Sequence, residues 1–196
     1  MKNFDFIEIA NVILEISPTI SFDFFYEVFN EGKIVKCKKH TILYEEDSFN
    51  DDFYVILRGY VRSFKNYNKG KRTTYIFQKK QIVLNVYSVI LDQPSAVGME
   101  CITDCILFKI DYKKLEKKIL ASTEAPKIVI DYIFKYTLDL FDHLDQLTLL
   151  TNENRYEWLE NNRKDFLRDL PDKYVAAFLG ISTASFSRIK KKYDKS

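Results

Sequence analysis

Residues 33–110 and residues 111–196 follow different hydrophobic periods, and that change limits the chain to a few architectures. The first stretch is a series of short β-branched and aromatic runs: Ile34–Cys37, Thr41–Tyr44, Phe53–Leu57, Tyr60–Phe64, Thr73–Phe77 and Cys105–Ile110. Turn residues separate them, at Arg58-Gly59 and at Asn68-Lys69-Gly70-Lys71. Such spacing predicts an antiparallel sandwich or barrel. From Asp111 onward no strand-like run appears. Ahead of the strands, Phe4, Ile7, Ile9, Val12, Ile13 and Ile16 recur near helical spacing until Ser17-Pro18 breaks the run. Ser21 opens a second short helix through Phe24, Phe25 and Val28, and Gly32 closes it. Strands segregated from helices give an α+β class rather than an alternating α/β one.

The helical part begins at Asp111, which is placed to cap a short helix through Leu115 and Ile119. Pro126 suits a first helical turn, and a long helix follows to about Leu150. Inside it Ile130, Ile133, Thr137, Leu140, Leu144, Leu147 and Thr151 step alternately by three and four, which is a heptad seam. Val129, Phe134, Leu138 and Phe141 form a second stripe. Two apolar faces need two covers. The sheet of the same subunit is one, and the same helix from a second copy is the most economical other, giving a two-fold homodimer. Burial inside a monomer is the alternative. The polar run Thr151–Asn154 serves as a hinge, and a compact segment containing Trp158, Leu159 and Phe166 leads to the last motif.

Residues 172–191, DKYVAAFLGISTASFSRIKK, have the layout of two short helices crossing through a tight turn. A small residue is needed where the helices touch, and Ala176 supplies it. The turn needs a residue tolerant of positive φ, and Gly180 supplies that. Val175, Leu179, Ile181, Phe186 and Ile189 take the inward positions, Ser182 can accept the first amides of the second helix, and Pro171 sets the entry. Outward remain Thr183, Ala184, Ser185, Ser187, Arg188, Lys191 and Lys192, with no carboxylate between Ser182 and Lys192. A slim face bearing hydroxyls and cations is what a helix entering a major groove requires. The candidate DNA contacts are therefore Ser182, Thr183, Ser185, Ser187, Arg188, Lys191 and Lys192. Arg188 can bond guanine O6 and N7 together, or a phosphate. Lys190 and its neighbours add non-specific attraction. The bland alternative is an ordinary helical hairpin with a basic face.

Charge agrees with a polyanion partner. The net charge is only +2, but the segment from Arg155 to the end carries ten Lys/Arg against six Asp/Glu, and the last helix runs into Arg188, Lys190, Lys191, Lys192 and Lys195. A solvated basic tail would show the same count. No apolar stretch approaches a membrane span and the N-terminus lacks a signal-peptide layout, so a cytoplasmic protein is expected. The three cysteines, Cys37, Cys101 and Cys105, read as free thiols, because His40 and His143 are the sole histidines and no further ligands cluster near them. No metal or cofactor is expected. A nucleophile–base pair and a phosphate-cradling glycine loop are both missing, so an enzyme is not expected either.

Taken together, the order of elements resembles the cyclic-AMP receptor protein/fumarate-nitrate regulator (Crp/Fnr) family over essentially the whole chain. The likeness is strongest at residues 53–62, FYVILRGYVR, similar to the family's strand-Gly-strand hairpin, and at residues 170–189, LPDKYVAAFLGISTASFSRI. It implies a cyclic-nucleotide-binding-like β-roll with N-terminal helices (residues 1–125), a dimerisation helix (126–151) and a helix-turn-helix, winged-helix-like domain (152–196). It further implies double-stranded DNA with a palindromic operator as partner, the two recognition helices about 34 Å apart. RNA polymerase is a further partner, and the small-molecule effector is unknown.

The effector segment departs from that family. Cyclic-nucleotide binders place a Gly-Glu pair before a short helix and an Arg with a small neighbour after it. Here Leu84 and Asn85 stand for the first pair, Ser95 and Ala96 for the second, with Tyr87 and Ser88 on the short helix. No guanidinium is left for a cyclic phosphate, so cyclic AMP is not expected to bind in the usual way. No cysteine precedes Cys37, against the iron–sulfur members, and His40 and His143 form no recognisable haem pair; His143 reads as a partly exposed polar position. Ala184-Ser185 replaces the family's frequent Glu-Thr, so its operator sequences do not transfer. A β-roll that docks another protein, with a vestigial DNA-binding part, is the competing reading.

Overall fold

The computed structural model describes residues 2–68 and 70–193, with side chains from Phe6 onward, so the expectations at Lys69 and Lys195 and for the Phe4 side chain fall outside what is described. Helices α1 (Lys2–Ile16) and α2 (Phe22–Glu31) open the chain. Ser21 begins α2 as read, its Oγ accepting the Phe24 amide. Strands follow as β1 (Lys33–Cys37), β2 (Ile42–Tyr44), β3 (Asp52–Arg58), β4 (Val61–Tyr67), β5 (Gly70–Phe77) and β6 (Ile82–Leu84). A short helix α3 (Val86–Leu91) precedes β7 (Gly98–Cys101) and β8 (Cys105–Asp111). The rest is helical: α4 (Tyr112–Ala121), α5 (Ala125–Leu149), α6 (Asn152–Asn162), α7 (Lys164–Asp169), α8 (Asp172–Phe178) and α9 (Thr183–Tyr193).

The strands form two antiparallel four-stranded sheets, ordered β1-β8-β3-β6 and β2-β7-β4-β5. Strand β3 is apolar along its length because both its faces are covered. Val55 and Leu57 point to a cluster with Ile9, Val12, Phe25 and Leu115 under α1, α2 and α4. Tyr54 and Ile56 point the other way, into the interior between the sheets. That second cluster continues without a break into Leu159, Phe166, Phe178 and Phe186, so the C-terminal helices share one core with the roll.

Three features differ from the sequence reading. Strands β6 and β7 went unread, because one has three residues and the other, GMEC, carries a glycine and a carboxylate. The β4–β5 hairpin runs on to Tyr67 and Gly70 through polar residues that pair as an exposed ribbon. Among the described residues after Asp111 there is no strand, so the winged-helix-like expectation is corrected: no wing accompanies α6–α9.

A charged pair is built into the second sheet. Arg62 and Glu100 are cross-strand partners on β4 and β7, both almost fully buried. Arg62 Nε donates to Glu100 Oε2 at 3.0 Å and Nη1 donates to Thr73 Oγ1 at 2.9 Å, while His40 Nδ1 meets Glu100 Oε1 at 2.7 Å. Burial alone raises the Glu100 carboxyl, but the hydrogen bonds from His40 and Arg62 outweigh it and hold the group below the ordinary 4.5. Its contribution to stability is therefore complete at neutral pH and drains away as the pH falls below about 4.5 through the folded-state value. Replacing Glu100 by Gln strands the Arg62 charge and is expected to cost about 3 kcal/mol at pH 7. In urea titrations at a series of pH values, the gap between Glu100→Gln and the parent should narrow on acidification.

Candidate nucleic-acid interface

The α8–α9 pair is built as its residues dictate. Gly180 takes φ +68° in the turn, where a side chain would be strained and would press on Leu147. Ser182 Oγ accepts the Ser185 amide at 3.1 Å and starts α9. Val175, Ala176, Leu179, Phe186 and Ile189 are buried between the helices, and Ile181 is half-buried. All the inward assignments hold.

The opposite face of α9 is open. Ser182, Thr183, Ala184, Arg188, Lys191 and Lys192 are exposed, and Ser185 and Ser187 are half-exposed. Arg188 Nη2 reaches Ser185 Oγ at 3.3 Å, and among the described residues it has no ion pair. Lys190 differs, because its Nζ is tied to Asp172 at 2.9 Å. It braces α8 against α9 and is not a loose cation. The exposed cations of this face are therefore Arg188, Lys191 and Lys192, with hydroxyls around them.

What sequence reasoning missed is the seat on which this pair rests. Helix α8 lies against β5, and Tyr75 of β5 packs on Phe178 with rings 5.9 Å apart. The Arg62 guanidinium stands over the Tyr174 ring at 5.1 Å. Tyr60, just past the Gly59 turn at φ +90°, has its hydroxyl 2.9 Å from Asp165 Oδ2 and 3.0 Å from Asp169 Oδ2, one proton shared between the two acceptors, and its ring is edge-on to Phe166. Asp139 of α5 accepts from Tyr75 at 2.6 Å, from Gln81 at 3.3 Å and from Arg163 at 2.6 Å. One carboxylate thus joins the roll, the long helix and the C-terminal helices. The available signal was the spacing Tyr132, Tyr136, Asp139, His143, which runs down a face of α5 roughly a quarter turn from the heptad seam and opposite to Phe134, Leu138 and Phe141.

That face corrects the reading of α5. Tyr132 accepts the Ile82 amide, Tyr136 packs on Tyr75 and Phe77, and His143 stacks on Phe178 at 4.3 Å. The stripe of Phe134, Leu138 and Phe141, assigned to the sheet of the same subunit, is instead exposed. It merges with the seam residues Ile130, Ile133, Leu140 and Leu144, also exposed, into one broad apolar face; Thr137 and Leu147 are half-buried. The hinge is corrected too. Only Leu150 and Thr151 separate α5 from α6, and Arg155 braces the junction by donating to the carbonyls of Leu147, Leu150 and Leu179.

The effector segment is closed on itself. Asn85 is buried, caps α3 through the Ser88 amide and donates to the Ser88 hydroxyl, which also accepts the Asn50 amide. Ser95, also buried, donates to the Val97 carbonyl at 2.6 Å. Leu84 and Ala96 are half-buried and Tyr87 points outward. Asn85 and Ser88 therefore bond to each other, and Ser95 bonds to the Val97 backbone beside it. Among the described residues no group of His, Cys, Asp and Glu is arranged to hold a metal, and no helix is long and apolar enough to cross a membrane.

With this geometry in view, the comparisons fit. Residues 34–122 match the cyclic nucleotide-binding domain family. Solved structures share the fold over most of the chain. FixK2 from Bradyrhizobium japonicum superposes with a TM-score of 0.69 at 15% identity, covering 84% of this chain and 85% of its own. CLP from Xanthomonas campestris, described as a c-di-GMP responsive global regulator, gives 0.66 at 16% identity, covering 89% and 92%. A CooA variant from Carboxydothermus hydrogenoformans gives 0.66 at 16% identity, covering 86% and 78%. No curated protein is detectably similar in sequence.

His143 makes the seat sensitive to acid. Burial against Phe178, reinforced by the charges of Arg163 and Arg155 and only partly opposed by Asp139, lowers its pKa from 6.5 to about 4. Protons therefore favour the undocked or unfolded chain between those two values, so docking strength is full above pH 6.5 and falls as the pH drops toward 4. Emission of Trp158, the sole tryptophan, is expected to report loosening over that window. His143→Phe, which keeps the stacking and removes the charge, should flatten the response.

Proposed function

We propose that this chain is a sequence-specific DNA-binding transcription regulator of the Crp/Fnr type, in which α8 and α9 are the helix-turn-helix and α9 reads the major groove. The observation that carries the reading is the outer face of α9. It is free of the protein's own interior, free of carboxylate from Ser182 to Lys192, and presents Arg188 and Lys191 among small hydroxyl residues. Ser182, Thr183, Ser185, Ser187, Arg188, Lys191 and Lys192 are the proposed DNA contacts. The description of CLP as a global regulator supports the same reading by likeness of fold.

The working form in this proposal is a homodimer. Ile130, Ile133, Leu140 and Leu144 of α5, with Phe134, Leu138 and Phe141 beside them, are the apolar side chains a second α5 would cover, with Thr137 and Leu147 at the margins. Two copies related by a two-fold axis would address a palindromic operator. RNA polymerase is a natural further partner for such a regulator.

Salt-dependent gel shifts on promoter DNA test the proposal. Affinity is expected to fall steeply with rising salt, as counterion release demands. Arg188→Ala is expected to weaken operator binding by about 1–3 kcal/mol if the guanidinium reads a base, with non-specific binding changed less. Binding that ignores both salt and Arg188 would remove α9 from the reading.

In this proposal the roll does not take cyclic AMP in the manner of its cyclic-nucleotide-binding relatives. Leu84, Asn85, Ser95 and Ala96 offer no guanidinium to a phosphate, and the polar atoms of Asn85, Ser88 and Ser95 are already used. Calorimetric titration of the purified protein with cyclic AMP is expected to show no heat of binding in the micromolar range.

A further inference from the structure

We propose that Cys37, Cys101 and Cys105 form one oxidisable thiol cluster in which a hydroperoxide joins Cys37 to Cys105 as an intramolecular disulfide. Cys37 and Cys105 stand directly opposite each other on β1 and β8. Facing residues of an antiparallel pair send their side chains to the same face from Cα atoms about 4.5–5.5 Å apart, within the span a disulfide bridges. Cys101, the last residue of β7, is buried in the same packed cluster as the other two cysteines. All three cysteines of the chain, taken from three strands and both sheets, therefore converge at the β7–β8 corner.

Access and reactivity divide the roles. Cys37 is half-buried, whereas Cys101 and Cys105 are 0% and 2% exposed, so a small oxidant meets Cys37 first. The Cys37 thiolate attacks one peroxide oxygen; the O–O bond breaks, hydroxide leaves, and a sulfenic acid remains. The Cys105 thiolate then attacks that sulfur. The S–S bond forms, the S–O bond breaks, and the departing hydroxide is protonated to water. Two thiols lose two electrons in total and the peroxide is reduced to two waters. The hydrogen bond from Cys101, with that from the Thr103 side chain and against the effect of burial, holds the Cys105 thiol below its ordinary range and suits it to the second step. Burial raises Cys37, so the first step needs sustained peroxide.

The cluster also touches the docking seat. Cys105 Sγ donates to the Tyr60 carbonyl at 3.4 Å, and the Tyr60 ring is the one that holds α7 through Asp165, Asp169 and Phe166. Turning Sγ toward Cys37 withdraws that donor and leaves the carbonyl to the Ile102 amide alone, so oxidation relaxes the Tyr60 hold on α7.

The full-length protein is treated with hydrogen peroxide, denatured and titrated for free thiols, then mapped by mass spectrometry without reduction. The count is expected to fall from three to one, with a Cys37–Cys105 crosslink that dithiothreitol reverses. In parallel, limited proteolysis at Leu150–Thr151 is expected to quicken several-fold on oxidation of the parent and not of Cys37→Ser. Three thiols remaining, a crosslink between chains or through Cys101, sulfinic acid without a crosslink, or cleavage indifferent to oxidation would each overturn the proposal. Neither readout requires DNA, so the cluster stands or falls independently of the operator reading.

Discussion

The Asp139 carboxylate is the point on which this architecture closes. It accepts hydrogen bonds from Tyr75 and Gln81 on the roll and an ionic one from Arg163 between α6 and α7. A charge this close to an apolar core is tolerable only when its lone pairs are occupied, and each of the three donors comes from a different stretch of chain. The aromatic layer of Tyr75, Phe77, Tyr136, His143 and Phe178 packs beside it, and the carboxylate itself is half-buried. Long-helix register, roll and C-terminal helices are therefore set together, and a shift in one is felt by the other two.

The α5–α6 junction is stiffened by Arg155, which fastens three carbonyls across it, and the roll does not reach the C-terminal helices through that junction alone. Direct contacts run instead from the β3–β4 turn through Tyr60 to α7, and from the β4–β5 ribbon through Arg62 and Tyr75 to α8. The roll thus holds the C-terminal helices by its own surface, while the outer face of α9 stays open to solvent.

Much of the local structure was legible in the sequence. The β3 run, the Ser21, Asp111 and Ser182 caps, the Gly180 turn and the inward residues of α8 and α9 all stand where local patterns put them, because each depends on neighbours a few residues away. Strand β7 was invisible because sheet partners, and not its own composition, make it a strand, and β6 because three residues are too few to show a period. The second stripe of α5 was misplaced for a related reason. Apolarity says that a face seeks cover, but aromatic and polar side chains such as Tyr132, Asp139 and His143 can cover a helix equally well when hydrogen-bond partners are supplied from elsewhere.

The sequence by itself determined which segments become strands and helices over most of the chain, and which face of the last helix is slim and basic, since these follow from short-range periodicity and capping. Only the tertiary structure decided where that helix is held, that three distant cysteines meet at one corner, and that Arg62, Glu100 and Asp139 are partners. Those outcomes depend on contacts between residues far apart in the chain, whose geometry exists only once the two sheets and α5 have closed around a common core.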